Sequence, residues 1–301
     1  MKRPIIDLHC DLLSYLAEGN ERTPFDDIAR CSLTQLKEGG VVCQVLAIFT
    51  ETETGSSSMG QKQANLLPEV QSQTEITLIP AVENASAFAE ENEPLEEVLK
   101  RFDKLPPLAY MSLTWNGENR FGGGCGSDTG LHRDGEVLLE WMNEMNIPID
   151  LSHTSDFLAS DILNFLDKKN LSITPIASHS NFRAICERER NLPDEFAKEI
   201  KERGGIIGLN LCAPFVGTSI KMLGAHLQHA EKLGLNDSLV FGADFFGGLN
   251  FQTSFPPPLF FDEASDASCY PYLIETFGIS SKIAFETARD FLKLPIFGGE
   301  P

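Results

Sequence analysis

Six residues of this chain, His9, Asp11, Glu83, His153, His179 and Asp244, are of the types that hold and use a metal ion. Imidazole nitrogen and carboxylate oxygen are ligands that zinc accepts at about 2.0–2.2 Å. In His9-Cys10-Asp11 the outer residues fall on one side of an extended segment, because side chains alternate with period two. Cys10 then points the other way, toward packing. Glu83 closes the apolar run Thr77–Val82, where a carboxylate is costly to bury unless it is paired or metal-bound. His153 follows Asp150-Leu151-Ser152, and His179 stands in Ala177-Ser178-His179-Ser180. Asp244 ends Phe241-Gly242-Ala243; it is not needed as a ligand, so it is free to take a proton from a metal-activated water and pass it to a leaving amine. Each residue alone has a blander reading. A lone strand-end histidine is more often a hydrogen-bonded structural residue, and a lone glutamate a neighbour of a helix cap. Their joint distribution carries the metal reading, with one carboxylate able to bridge two ions. His132, His226 and His229 lie in helical or loop segments and read as surface or packing residues.

What could bring six distant residues together is a set of short, β-branched runs. They fall at Ile5–His9, Val41–Phe49, Thr77–Glu83, Leu108–Trp115, Ile147–His153, Ile173–His179, Gly204–Leu211 and Leu239–Phe245. Polar segments with helical periodicity, such as Gly135–Met145 and Pro193–Arg203, lie between them. Continuous apolar strands alternating with helices predict a parallel sheet buried on both faces. Eight such units predict an α/β protein closed as a (β/α)8 TIM barrel of the metal-dependent hydrolase type, over one domain spanning residues 1–301. An open, doubly wound sheet would give the same alternation. Strand count and the lack of a Gly-rich phosphate loop after the first strand favour the barrel. The glycine run Phe121–Ser127 lacks the Lys-Ser/Thr ending of a phosphate cradle and reads as a mobile loop after strand four. Phe255–Leu259 reads as a Pro-rich loop, and a final helix near Ser281–Leu292 would close the fold. In a barrel, chemistry gathers at the C-terminal strand ends, where the six residues fall.

Composition narrows the partners. Asp plus Glu number 44 against 24 Lys plus Arg, a net charge of −20. Such a surface repels phosphate backbones and anionic headgroups, so neither nucleic acid nor membrane is an expected partner. The 7 cysteines show no CxxC pair, and Lys2 and Arg3 precede no signal-like apolar stretch. Both features point to reduced thiols and a cytoplasmic location.

Longer motifs carry a resemblance. Ile6-Asp7-Leu8-His9-Cys10-Asp11, Leu113-Thr114-Trp115-Asn116, Ile149-Asp150-Leu151-Ser152-His153, Ala177-Ser178-His179-Ser180-Asn181, Arg190-Asn191-Leu192-Pro193-Asp194 and Phe241-Gly242-Ala243-Asp244-Phe245 run nearly end to end. Together they resemble the membrane (renal) dipeptidase family of zinc metallopeptidases, in its bacterial form. The resemblance implies a zinc-dependent dipeptidase with two zinc ions per chain. His9 and Asp11 would hold one, His153 and His179 the other, and Glu83 would bridge them. Peptide hydrolysis would proceed by a metal-bridging hydroxide, with Asp244 as proton shuttle. Arg190 would bind the substrate carboxylate, with Trp115 and Asn116 beside it. The substrate would be a small dipeptide, often with a D-residue at its C-terminal position, and a homodimer is compatible with this reading. Two positions depart from the pattern. Trp115 stands where many members carry a carbonyl-polarising histidine, and Phe246 where an aspartate usually repeats. Rival readings are another barrel amidohydrolase, an amidase or deaminase, and a non-catalytic metal-binding barrel. Many such hydrolases open on HxH, whereas this chain has His9-x-Asp11.

Overall fold

A computed structural model describes residues 3–249, 255 and 257–295. Eight strands form one parallel sheet: β1 (Ile5–Cys10), β2 (Val41–Phe49), β3 (Thr77–Glu83), β4 (Met111–Ser112), β5 (Ile149–Asp150), β6 (Pro175–Ile176), β7 (Ile207–Leu209) and β8 (Leu239–Phe241). The spatial order is β6-β5-β4-β3-β2-β1-β8-β7. The two edges meet where Ala177 bridges Ile207 in parallel, with Ala177 N donating to Ile206 O at 3.0 Å and Gly208 N to Ala177 O at 2.7 Å. The sheet therefore closes, and the open-sheet alternative falls away. First and last strands are neighbours, with Asp7 opposite Phe241.

Pairing is longest between β2 and β3, from Cys43 opposite Thr77 to Phe49 opposite Glu83. Strands β4 to β8 are shorter than their apolar runs predict, at β5 and β6 for a local reason. At the ends of β5 and β6 a side chain replaces the ladder: Ser152 N and Ser178 N donate to Asp150 Oδ1 at 3.0 and 2.8 Å. Inside the barrel, Ile6, Leu8, Cys43, Val45, Ala81, Ile176 and Val240 form a buried cluster that Phe285 and Ala288 close from the last helical stretch. That stretch runs through Lys282–Glu286 and Thr287–Phe291, as expected. The larger cluster packs the outer strand faces against the helices, and Cys10 joins it, pointing away from His9 and Asp11.

Helices cover Arg133–Met145 and Asp194–Glu202, close to the predicted bounds. The glycine run corrects the expectation of a mobile loop. Glu118–Asn119 and Gly122–Gly123 pair as a short antiparallel hairpin after β4. Cys125 N donates to His153 O at 2.7 Å and Ser155 N to Gly123 O at 2.9 Å, so backbone bonds strap this segment to the end of β5. At Gly124 a Cβ would lie 1.7 Å from the Trp115 carbonyl oxygen, so only glycine permits the approach. Of the stretch read as a Pro-rich loop, Pro256 lies outside the described residues. No helix among the described residues is long and apolar enough to cross a membrane.

Candidate metal centre and substrate cavity

The C-terminal strand ends bring His9, Asp11, Glu83, His153, His179 and Asp244 to one place, all buried. Glu83 sits in the middle. Its Oε2 is 3.2 Å from His9 Nε2, while its Oε1 is 2.9 Å from His153 Nε2 and 3.6 Å from His179 Nε2. One oxygen thus faces the His9–Asp11 side and the other the His153–His179 side. Three overlapping groups have ligand atoms within 4.8 Å of one another: His9, Asp11 and Glu83; Glu83, His153 and His179; and His9, His179 and Asp244. Asp244 Oδ1 is 3.8 Å from His9 Nε2, near enough to serve as a ligand as well as a base.

Hydrogen bonds on the far side of each ring fix its tautomer. His9 Nδ1 is 2.7 Å from the Tyr110 hydroxyl, which donates its own proton to Leu8 O at 2.9 Å. The hydroxyl must therefore accept from Nδ1–H, leaving a lone pair on His9 Nε2. His153 Nδ1 donates to Asn116 Oδ1 at 2.7 Å. His179 Nδ1 donates to Ser178 Oγ at 2.6 Å, since that hydroxyl spends its proton on Asp150 Oδ2, also at 2.6 Å. All three Nε2 lone pairs then converge on carboxylates and on each other, with His153 Nε2 and His179 Nε2 3.0 Å apart. Acceptors do not bond acceptors. His9 Nε2 and Asp11 Oδ1 are buried with no hydrogen-bond partner. A cation resolves this arrangement, and imidazole plus carboxylate is a donor set that zinc accepts, with outer partners of the usual kind. The residues fit a two-metal centre.

Electrostatics agree. Burial pulls the His9 imidazole down, but the charge of the Glu83 carboxylate, with those of Asp11 and Asp244 behind, outweighs it and holds His9 at about 10. Burial lowers His153 to about 4, helped by the Arg190 charge, and burial likewise lowers His179. Burial, then the Glu83 charge, raises Asp11. Asp244 is raised to about 6, by burial and the nearby Glu83 charge against the pull of His9. Without a cation, then, a proton on His9 takes its place.

The backbone is held in uncommon conformations here. His153 has φ 66° and Asp244 φ 63°, the left-handed region that few non-glycine residues adopt. Such strain persists only where the surroundings impose it, and it clusters at functional sites. Asp244 is further fixed by Asn210 Nδ2, which donates to its Oδ2 at 2.8 Å, and by the Cys212 thiol at 3.3 Å.

Beside the cluster opens a cavity of about 840 Å³. Asp11, Glu83, His153 and Asp244 line its floor, and Arg190 a wall. Arg190 is 7% exposed; it donates to Ser180 Oγ at 2.7 Å and to His179 O at 3.1 Å, and its Nε has no partner. No carboxylate pairs with it among the described residues. Trp115 lines the cavity, its ring centroid 5.9 Å from that of His153. Asn116, expected beside the substrate, lines it too, but its side-chain oxygen is committed to His153. The outer partners Tyr110, Ser178, Asn210 and Cys212 carry no assigned role in the sequence alone. No local pattern marks Tyr110, Asn210 or Cys212, because each of their partnerships joins different strand ends, while Ser178 stands beside His179 in the chain. Of the remaining histidines, His226 is buried and 3.0 Å from Val216 O, and His229 is 2.7 Å from Asp194.

Comparison with known proteins adds lineage. Residues 59–277 match the family model described as membrane dipeptidase (peptidase family M19). The matched stretch includes Glu83, His153, His179, Arg190 and Asp244, and begins after His9 and Asp11. An uncharacterized protein in the pqqA 5′ region of Klebsiella pneumoniae is 29% identical over 54% of this chain and 60% of its own length. Dipeptidase 3 of Mus musculus is 33% identical over 49% of this chain and 28% of its own. The matches thus span less than two thirds of these relatives. Among solved structures, a metallo peptidase from Rhodobacter sphaeroides, liganded with a phosphinate mimic of L-Ala-D-Ala, has a TM-score of 0.78 at 19% identity. That match covers 97% of this chain and 99% of the other. A structure described as dipeptidase AC has a TM-score of 0.80 at 20% identity, with the same coverage. At these identities the likeness establishes the barrel fold.

Proposed function

This chain belongs to the membrane dipeptidase family, and from that premise we propose that it is a zinc-dependent dipeptidase that hydrolyses the peptide bond of small dipeptides. The observation that carries the reading is a buried guanidinium that no carboxylate among the described residues pairs with, in the cavity whose floor is the histidine–carboxylate cluster. A dipeptide's free carboxylate supplies the missing charge, and a planar guanidinium suits it in bidentate form. His9 and Asp11 would hold one zinc, His153 and His179 the second, with Glu83 between. Metal there would polarise the scissile carbonyl and acidify the attacking water. The chain's own residues do the rest. Arg190 anchors the carboxylate end, Asn116 and Ser178 keep the imidazoles aimed, and Asp244 takes the proton from the water and returns it to the departing amine. The D-residue expected at the C-terminal position belongs to this proposal.

Turnover of L,L- and L,D-dipeptides, with zinc analysis of the same preparation, tests it. Free-acid dipeptides should be cleaved well and their C-terminal amides poorly. Leaving a buried charge unpaired costs on the order of 2–5 kcal/mol, hence a loss of roughly 30-fold or more in kcat/KM. Equal turnover of acid and amide would remove Arg190 from the site and favour a general amidohydrolase.

Zinc content should approach two per chain after reconstitution, and affinity should rise with pH. The sign follows from His9: held at about 10, it carries a proton at neutral pH that zinc must displace. Binding should therefore tighten between pH 6 and 8, by about tenfold per unit for each proton displaced. Calorimetric zinc titration in buffers of different ionisation enthalpy reads both affinity and proton release. One ion per chain, or affinity flat with pH, would contradict the bridged pair.

A further inference from the structure

The cavity also carries information about which dipeptide it takes. Its upper wall is built from Phe49, Trp115, Phe215, Phe246, Phe255 and Leu259. The aromatic members are not scattered. The Phe215 and Phe255 rings meet edge to face with centroids 5.3 Å apart at 87°. The Arg190 guanidinium lies 5.8 Å from the Phe215 centroid, and Arg188 the same distance from that of Phe255. The anchor for a carboxylate and the aromatic wall are therefore adjacent. In an amino acid the carboxylate and the side chain leave the same Cα. A C-terminal residue with its carboxylate on Arg190 must place its side chain within reach of Phe215 and Phe255.

We propose that this site selects dipeptides whose C-terminal residue is large and apolar, above all aromatic, seated on the Phe215–Phe255 wall. The inference rests on the assignment of Arg190 as the carboxylate anchor. Cavities of about 300–1,000 Å³ take ligands of drug size. The 840 Å³ here leaves space and apolar surface unfilled around an alanine side chain. A phenylalanine ring occupies more of it and adds an edge-to-face contact. An acidic side chain is the alternative that Arg188 suggests. Glu187 and Glu189 line the same cavity and bring opposite charge to it, which disfavours an acidic side chain.

The test compares L-Ala-L-Phe and L-Ala-D-Phe with L-Ala-L-Ala and L-Ala-D-Ala, and with the two Ala-Glu peptides, on zinc-loaded enzyme. The better phenylalanine isomer should exceed the better alanine isomer in kcat/KM by about 10–100-fold, the worth of burying an aromatic side chain. Phe215→Ala should shrink the phenylalanine-to-alanine ratio by about tenfold or more, whatever common change both substrates suffer. Calorimetric binding of the same peptides to zinc-loaded Asp244→Asn enzyme reads the preference without turnover. Absence of hydrolysis with the binding preference intact would overturn the dipeptidase reading and leave this one standing. Hydrolysis and binding without preference for phenylalanine, or with a preference for glutamate, would overturn this inference alone.

Discussion

Asp244→Asn should keep two zinc ions and a near-normal melting temperature while turnover falls by roughly 10²–10⁴-fold, the usual worth of a positioned general base. Asparagine has nearly the shape of aspartate and retains an oxygen acceptor, so the contact from Asn210 Nδ2 can persist. It cannot accept a proton from attacking water. The left-handed backbone at this position, φ 63°, is tolerated by asparagine as well as by aspartate, so the substitution adds no strain. The structure sharpens the experiment, because Asp244 lies within ligand reach of His9 and His179. Metal content, melting temperature and turnover must therefore be read on one preparation. Activity lost only in step with lost zinc would make Asp244 a ligand. Activity hardly changed would remove it from the mechanism.

Glu83→Gln should be more damaging, and through metal. The carboxylate presents one oxygen to His9 and the other to His153 and His179, so it is common to both halves of the centre. Glutamine keeps the length but turns one oxygen into a protonated nitrogen and removes the charge. Loss of an outer-shell partner typically costs about 10–100-fold in metal affinity, and loss of a shared inner ligand should exceed that. Equilibrium dialysis should find no more than one tightly held zinc, and activity should fall with it. The rise in melting temperature on adding zinc should also shrink, since stabilisation follows ligand concentration over dissociation constant. Two zinc ions held at native affinity by this variant would end the bridging role.

The strand-end residues were legible because each is a strongly polar group closing an apolar run, a conflict that shows in one dimension. Glu83 after Thr77–Val82 is the clearest case. Closure of the sheet was legible in the number of runs, though not in their paired lengths, because Asp150 diverts the Ser152 and Ser178 amides from the ladder. The partners that orient the imidazoles were not legible. Tyr110 reaches His9 across 101 positions and Asn116 reaches His153 across 37, and such contacts have no spacing rule. The hairpin over the glycine run was hidden for a related reason: its order comes from backbone bonds to the end of β5, and nothing in its own composition announces them.

That the ligands are spread from His9 to His179 along the chain has a consequence for biosynthesis. At about 5–20 residues per second, the ribosome needs roughly 10–35 s to pass from the first histidine to the last. At the start of that interval His9 and Asp11 exist without Glu83, and until its end without His179, and an isolated His-x-Asp pair discriminates poorly among divalent ions. The seam between β1 and β8 closes later still, once Leu239–Phe241 has emerged. A metal ion held by all of these residues would therefore be taken by a finished barrel, and its identity would be set by what the cell holds available at that moment, measured against the geometry of a completed rim.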